Sequence, residues 1–283
     1  MKIGVNTLLW TAHFDREQFP LFEQVKAHGF DAIEMARFDW SGFPAAEVRR
    51  ELDRFNLDGI CCSALTGRRS LVTDDDAARN EALAFLRQAI EATAECGCSL
   101  LVGPFVSPVG YLAGRRRTGE EWKRGVHGLQ SLVPLLEKVD VRLAVEPLNR
   151  FETYVLNTAA DARRLCDEVG SDRVGVLYDT FHGNIEEKSH GAAIAAIGPR
   201  LAHLHACEND RGIPGSGHIG WDEVFRSLRA GGYDGYLVIE SFGFAIEEIA
   251  AAACIWRDLA PSPEVIAWEG GKFLRSHVVE STR

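Results

Sequence analysis

The 283 residues are 46% hydrophobic and 25% charged, the balance of an ordinary soluble globular protein. A formal net charge of -10 argues against a sequence-independent nucleic-acid binder, which needs a basic face. No apolar run is long enough to span a bilayer, and seven cysteines without paired CxxC motifs suit a reducing compartment, so the cytoplasm is expected.

Strand-like and helical patterns alternate along the whole chain. The first strand is predicted at Ile3–Thr7 and not as a signal peptide, because His13, Asp15 and Arg16 follow and no small-residue cleavage site is present. A helix near Glu17–His28 leads to a strand at Ala32–Ala36, and a helix at Ala45–Phe55 to a strand at Gly59–Ala64. Next come a helix at Ala77–Cys96, a strand at Leu100–Pro104, one long helix at Glu120–Val139 and a strand at Arg142–Pro147. The second half repeats the unit: helix Ala159–Val169, strand Val174–Asp179, helix Ala192–Ile197, strand Ala202–Ala206, helix Trp221–Ala230, strand Tyr236–Ser241 and helix Ala245–Leu259. Asn157-Thr158 with Asp161 signals a capped helix start, and Gly29, Gly97, Gly170 and Gly232 sit where left-handed residues stop helices. Eight strand–helix pairs without a linker predict an α/β fold, a single (β/α)8 barrel over residues 1–283. Residues 261–283 read as an appended C-terminal helix that covers the barrel or meets another subunit. A doubly wound sheet is the competing arrangement, but no Gly-rich fingerprint follows the first strand.

Four of the later strands each stop at an ionisable residue: Glu146 in RLAVEP, Asp179 in VGVLYD, His205 in LAHLHA and Glu240 in YLVIES. A buried lone carboxylate is costly unless it is paired or binds a cation. In a parallel sheet all four groups emerge on one face, and three carboxylates with one imidazole suit a divalent metal.

Around these ligand candidates stand further polar residues, each with an ordinary structural alternative. Glu152 can reach substrate hydroxyls, or it pairs with Arg150 or caps the helix beginning near Thr158. His182 can donate to a substrate oxygen beside the metal, or it is a structural loop histidine. Arg211 can bind a polyhydroxylated substrate, or it pairs at the surface with Asp210 or Glu208. His203 points to the same strand face as His205 but lies deeper, where it fills the core or supports a ligand. Glu34 is an inward carboxylate that could hold His205 or a substrate hydroxyl. The loop from Gly212 to Gly220 is glycine-rich without a P-loop lysine, which favours a tight loop beside the site over a phosphate cradle. The run Arg115–Arg117 reads as a solvated loop.

The stretches EPLNRFE, LYDTFHGNIEE, HLHACENDRG and IES resemble the ketose 3-epimerase family, within the wider xylose-isomerase-like sugar isomerases and epimerases. The resemblance spans most of the chain, with its specific motifs between Glu146 and Glu240. It implies that Glu146, Asp179, His205 and Glu240 bind Mn2+, alternatively Mg2+ or Co2+, and that Glu146 and Glu240 are the catalytic acid/base pair. It assigns Glu152, His182 and Arg211 to a small-molecule ketose, whose C3 would be inverted through a cis-enediolate. The first strand, running into Trp10, and the loop Val106–Gly110 depart from the best-known members in the region that shapes the pocket. A homodimer or homotetramer is implied, with no nucleic-acid or membrane partner. The rivals on the same scaffold are sugar, hydroxypyruvate or inositol-derivative isomerases and dehydratases. A non-catalytic sugar-binding subunit is more distant, and an abasic-site endonuclease would need more histidine ligands and a basic groove than nine histidines and an acidic chain supply.

Overall fold

The computed structural model describes residues 1–244 and 246–279. Eight strands, β1 (Lys2–Asn6), β2 (Ala32–Ala36), β3 (Asp58–Cys62), β4 (Leu100–Gly103), β5 (Arg142–Val145), β6 (Val174–Asp179), β7 (Leu201–His205) and β8 (Tyr236–Ile239), close into one parallel barrel in chain order. The ring is sealed by β1 against β8, with Lys2 opposite Tyr236 and Val5 opposite Ile239. Helices follow the strands and pack outside, as the period-3.6 patterns between strand runs require. Among the described residues no helix is long and apolar enough to cross a membrane.

Strand alternation separates two apolar layers. Ile33, Met35, Cys61, Leu143 and Val176 join the layer between strands and helices, whereas Ala32, Ala36, Ile60, Cys62, Ala144 and Leu177 fill the barrel interior. Glu34 lies between Ile33 and Met35 on β2, so its carboxylate points into the barrel with the second set. Gly103 shows how tightly β3 and β4 approach at the rim: its φ is 140°, and a Cβ there would lie 1.9 Å from the Ser63 carbonyl oxygen.

β2 and β6 and the helices Ala45–Phe55, Ala159–Val169 and Trp221–Ala230 have the predicted limits. Gly29, Gly97, Gly170 and Gly232 all adopt the expected positive φ. Other helices differ from the sequence reading; the one near Glu17–His28 is a 3-10 turn, Arg16–Gln18, and then a helix, Pro20–Ala27, with Pro20 in its first turn. The long helix expected over Glu120–Val139 is two, Gly119–Gln130 and Val133–Val139, because Pro134 lacks an N–H and fits only the first turn of a helix. The helix expected over Ala245–Leu259 is Glu247–Ala252, which ends before Cys254 turns left-handed at φ 54°; Ala245 is outside the described residues. A further helix, Thr180–Glu186, follows β6 directly, with the Asp179 carboxylate accepting from Phe181 N at 2.6 Å as its cap. The C-terminal extension forms a helix over Pro263–Val279, which packs against β1 and β8, and residues 280–283 lie outside the described residues.

Candidate active site

Parallel strands deliver their C-terminal ends to one rim, and the four ligand candidates meet there. One ligand atom from each of Glu146, Asp179, His205 and Glu240 lies within 4.8 Å of the others, and all four residues are buried. From His205 Nδ1, the distances are 3.9 Å to Glu146 Oε1, 3.8 Å to Asp179 Oδ2 and 3.4 Å to Glu240 Oε1. The far side of the ring is committed elsewhere: Nε2 lies 2.9 Å from Glu34 Oε1 and donates to it. In the neutral ring, the form that binds a metal, the one proton sits on Nε2 and Nδ1 is free to face three carboxylate oxygens. His205 Nδ1 and Glu146 Oε1 are buried without any hydrogen-bond partner.

Electrostatics define what this cluster can hold. Three carboxylates face one permanent cation, Arg211, whose Nη1 donates to Asp179 Oδ2 at 2.7 Å and Glu240 Oε2 at 2.8 Å. Burial, reinforced by the charge of Glu240, pushes the Glu146 carboxyl well above the usual carboxylate range. Burial also opposes charge on His205, yet Glu240 and Glu34 together raise the imidazole well above its ordinary value. Glu240 is displaced the other way, to about 2, because His205 and Arg211 outweigh its burial. Protons are thus drawn to the place that a divalent cation would neutralise. An O3N donor set with two orphaned donor atoms fits a hard or borderline metal such as Mn2+, Mg2+ or Co2+.

Beside the cluster, His182 and Arg211 form a pair of donors. His182 Nδ1 accepts from the Asn149 backbone N–H at 3.1 Å and faces Asn149 Nδ2 at 2.9 Å. Burial depresses this imidazole to about 3, so the ring is neutral and its single proton sits on Nε2. That nitrogen lies 3.2 Å from Arg211 Nη2, so two N–H groups face each other with no acceptor between them. Such a placement suits an oxygen that takes a hydrogen bond from both. The Arg211 guanidinium is flanked by the rings of Phe181 and Phe242, its central carbon 4.0 Å and 4.7 Å from their centroids.

Glu152 lines the same cavity as Glu146, His182, Arg211 and Glu240, and accepts from Asn149 Nδ2 at 2.7 Å. It does not pair with Arg150, which is bound to Glu186, and the helix start at Ala159 is capped by Thr158. Arg211 is buried among carboxylates and not paired at the surface, where Asp210 instead meets Arg257 at 2.6 Å. His203 Nε2 lies 2.7 Å from Glu34 Oε2, so Glu34 stands against both histidines of β7 while its hydrogen bond goes to His205. Trp10 is a correction. Its indole packs on Trp268 at 5.7 Å and donates to Glu264, so it fastens the C-terminal helix and does not line the cavity. The arginine run is a solvent-facing loop as expected, with Arg115 and Arg116 exposed, and it is tied down at two points: Arg115 binds both oxygens of Glu121, and Arg117 binds Val155 O and Asp161.

Sequence reasoning assigned no role to Asn149, which orients both His182 and Glu152. Its presence inside NRFE beside two candidates was the only signal available. The cavity itself is about 510 Å³ and partly open, with an apolar wall that includes Leu8, Phe38, Pro104 and Val109 opposite the polar rim.

Residues 22–268 match the family model for xylose isomerase-like TIM barrels, the class of protein that this fold and its rim cluster define. The chain is 38% identical over 275 residues to a probable ketose 3-epimerase of Synechocystis sp., covering 97% of this chain and 96% of that relative. It is 32% identical over 270 residues to a D-psicose 3-epimerase of Agrobacterium fabrum, covering 94% and 93%. The solved structure of an L-ribulose 3-epimerase superposes with a TM-score of 0.94 at 27% identity, covering 100% of this chain and 96% of that one. The chain belongs to the xylose isomerase-like TIM barrel family and, within it, to the ketose 3-epimerases, enzymes of the isomerase class.

Proposed function

We propose that this enzyme inverts C3 of a free ketose with the help of a divalent metal held by Glu146, Asp179, His205 and Glu240. The observation that carries the reading is the bare, partnerless His205 Nδ1 facing three carboxylate oxygens beside the His182–Arg211 donor pair. A metal bound there supplies a Lewis acid that makes the C3 proton of a hydroxyketone acidic enough to remove.

The protein's own groups carry the proton. One carboxylate of the Glu146 and Glu240 pair takes the C3 proton, and the C–H electrons pass into a C2–C3 enediolate. His182 Nε2–H and Arg211 donate to the oxygen where charge accumulates, and Glu152 accepts from a substrate hydroxyl. The second carboxylate returns a proton to the opposite face of C3, which leaves the epimer and no net change in atoms. Among the described residues that line this cavity Arg211 is the one permanent cation, and it is already shared between Asp179 and Glu240, which supports an uncharged ketose over a sugar phosphate. Mn2+ is the proposed metal. A homodimer or homotetramer is the proposed assembly, supported by the exposed rings of Tyr111, Phe151 and Trp256 and checked by light scattering.

The test is solvent exchange. Metal-stripped protein with and without added Mn2+ is incubated in deuterated water with fructose, tagatose or ribulose and followed by NMR. Mn2+-dependent deuterium at C3 together with the C3 epimer supports the reading. Exchange at C1 with an aldose product would reassign the enzyme as an aldose–ketose isomerase, and no exchange with any free ketose would refute the proposed substrate class.

A further inference from the structure

Glu208 lies three residues before Arg211 and is completely buried, and among the described residues its carboxylate is held by N–H groups and not by an ion pair. All its partners are N–H groups of one loop and the helix after it. Oε2 accepts from Gly215 N at 2.8 Å and Trp221 Nε1 at 3.0 Å, while Oε1 accepts from Ile219 N at 2.9 Å and Asn209 N at 3.3 Å. The chain from Asn209 to Trp221 is therefore wrapped around a single carboxylate. The wrap is close: a Cβ on Gly217 would lie 2.7 Å from Glu208 Oε1 and 2.1 Å from Asn209 Oδ1. A buried charge satisfied only by dipoles is costly to keep, and a neutral packed loop would serve stability as well.

The wrapped loop carries Arg211, and Arg211 is held in a conformation that it would not choose. Its φ is 65°, in the left-handed region that disfavours residues with a Cβ. Two backbone contacts fix it there: Arg211 N donates to Glu208 O at 3.0 Å, and Ser241 Oγ donates to Arg211 O at 2.5 Å. From this backbone the guanidinium reaches Asp179 and Glu240 on two other strands. We infer that Glu208 is a positioning residue: its carboxylate gathers the loop so that Arg211 is presented to the rim with its donor pointed beside His182. It belongs neither to the cavity lining nor to the ligand cluster, and it acts through Arg211. The catalytic meaning of this inference rests on the proposed function, whereas its structural meaning does not.

Two variants and two readouts test it. E208Q keeps the size but replaces one acceptor oxygen with an amide NH2 that meets N–H donors; G217A crowds the same carboxylate from the loop side and serves if E208Q does not fold. A loss of about 10- to 100-fold in kcat/KM for C3 epimerisation at saturating Mn2+ is expected for either, the scale of a misplaced active-site group. In an R211Q background the same change should cost less than about twofold, because the group it positions is already gone. Equal losses in both backgrounds, or full activity in E208Q and G217A, would overturn the assignment. Crystal structures of the variants give the readout that is independent of turnover. Arg211 withdrawn from Asp179 and Glu240 supports the inference, and Arg211 unmoved refutes it, even if the wild-type enzyme proves inactive on every ketose and the functional reading fails.

Discussion

Replacing Glu34 separates the metal ligand His205 from the group that aims it. Glu34 is fully buried, and its Oε1 accepts from Asn6 Nδ2 at 2.6 Å and from His205 Nε2 at 2.9 Å. The second contact keeps the ring proton on Nε2 and leaves Nδ1 free to face the carboxylates of Glu146, Asp179 and Glu240. E34Q retains one acceptor oxygen for His205 but removes the charge that raises its basicity. His203 can adapt, because its Nδ1 has no partner and the ring can exchange tautomers to accept from the new amide. E34L removes the acceptor as well, leaving the ring proton and the Asn6 amide unpaired in the barrel interior. Loss of a support of this kind costs about 10- to 100-fold in metal affinity. We expect roughly 10-fold for E34Q and roughly 100-fold for E34L, or about 1.4 and 2.7 kcal/mol. Metal-free E34L should also lose about 2–6 kcal/mol of stability, from two unsatisfied donors at about 1–3 kcal/mol each. Isothermal titration with Mn2+ and urea denaturation of the metal-free proteins measure the two quantities separately. Wild-type Mn2+ affinity in folded E34L would refute the argument, since His205 would then not depend on Glu34 for its orientation.

Other consequences are equally direct. E146Q and E240Q should each slow C3 deuterium exchange by about 10²- to 10⁴-fold, the range of a lost general acid or base, and exchange at the wild-type rate in either would remove it from the proton-transfer pair. H182Q should lower kcat/KM by about 100-fold while Mn2+ affinity changes little, because it removes a donor to the substrate and not a metal ligand. Chelation should abolish C3 exchange and lower the melting temperature, with both restored by Mn2+, whereas a chelator-insensitive reaction would exclude the metal from it. Glu121 supplies a test of pH dependence away from the site: hydrogen bonds from Arg115, against the cost of burial, bring its carboxyl from 4.5 down to about 2. A depressed carboxyl stabilises the fold above its unfolded pKa and loses that contribution as pH falls through the folded value. The stability difference between wild type and E121Q should therefore be full above about pH 4.5 and shrink toward pH 2, read from urea midpoints across that range.

What was legible in the chain divides along a physical line. A strand buried on both faces must be apolar, so an ionisable residue at its end is conspicuous, and Glu146, Asp179, His205 and Glu240 could be read as one cluster once the strands were taken as parallel. Amphipathic helices bounded by glycines at positive φ were equally plain. The helix Thr180–Glu186 was hidden because Asp179 serves as both strand end and helix cap, and because Gly183 in its middle reads as a breaker. The reason for that glycine is tertiary: a Cβ there would lie within 2.2 Å of the Tyr178 hydroxyl. Trp10 illustrates the converse error, since the family resemblance put the stretch running into Trp10 in the region that shapes the pocket, while its indole is claimed by Glu264 and Trp268, more than two hundred residues away.

The role of Glu208 lay furthest from sequence, because its partners are backbone N–H groups that carry no residue signature. Only the fold shows that the acid in ENDRG turns inward to bind its own loop while the arginine turns toward the rim. That division of labour has a structural logic. A long cation reaching across a barrel mouth has many rotamers to lose, and a loop fixed before substrate arrives spares the reaction that ordering cost. Placing the anchor on the same loop as the arginine, and the contacts of the arginine on β6 and β8, ties three separate strand ends into one rigid rim. Substrate oxygen then meets donors already aimed, which is the condition under which hydrogen bonds act on a developing charge and not merely on the bound ground state.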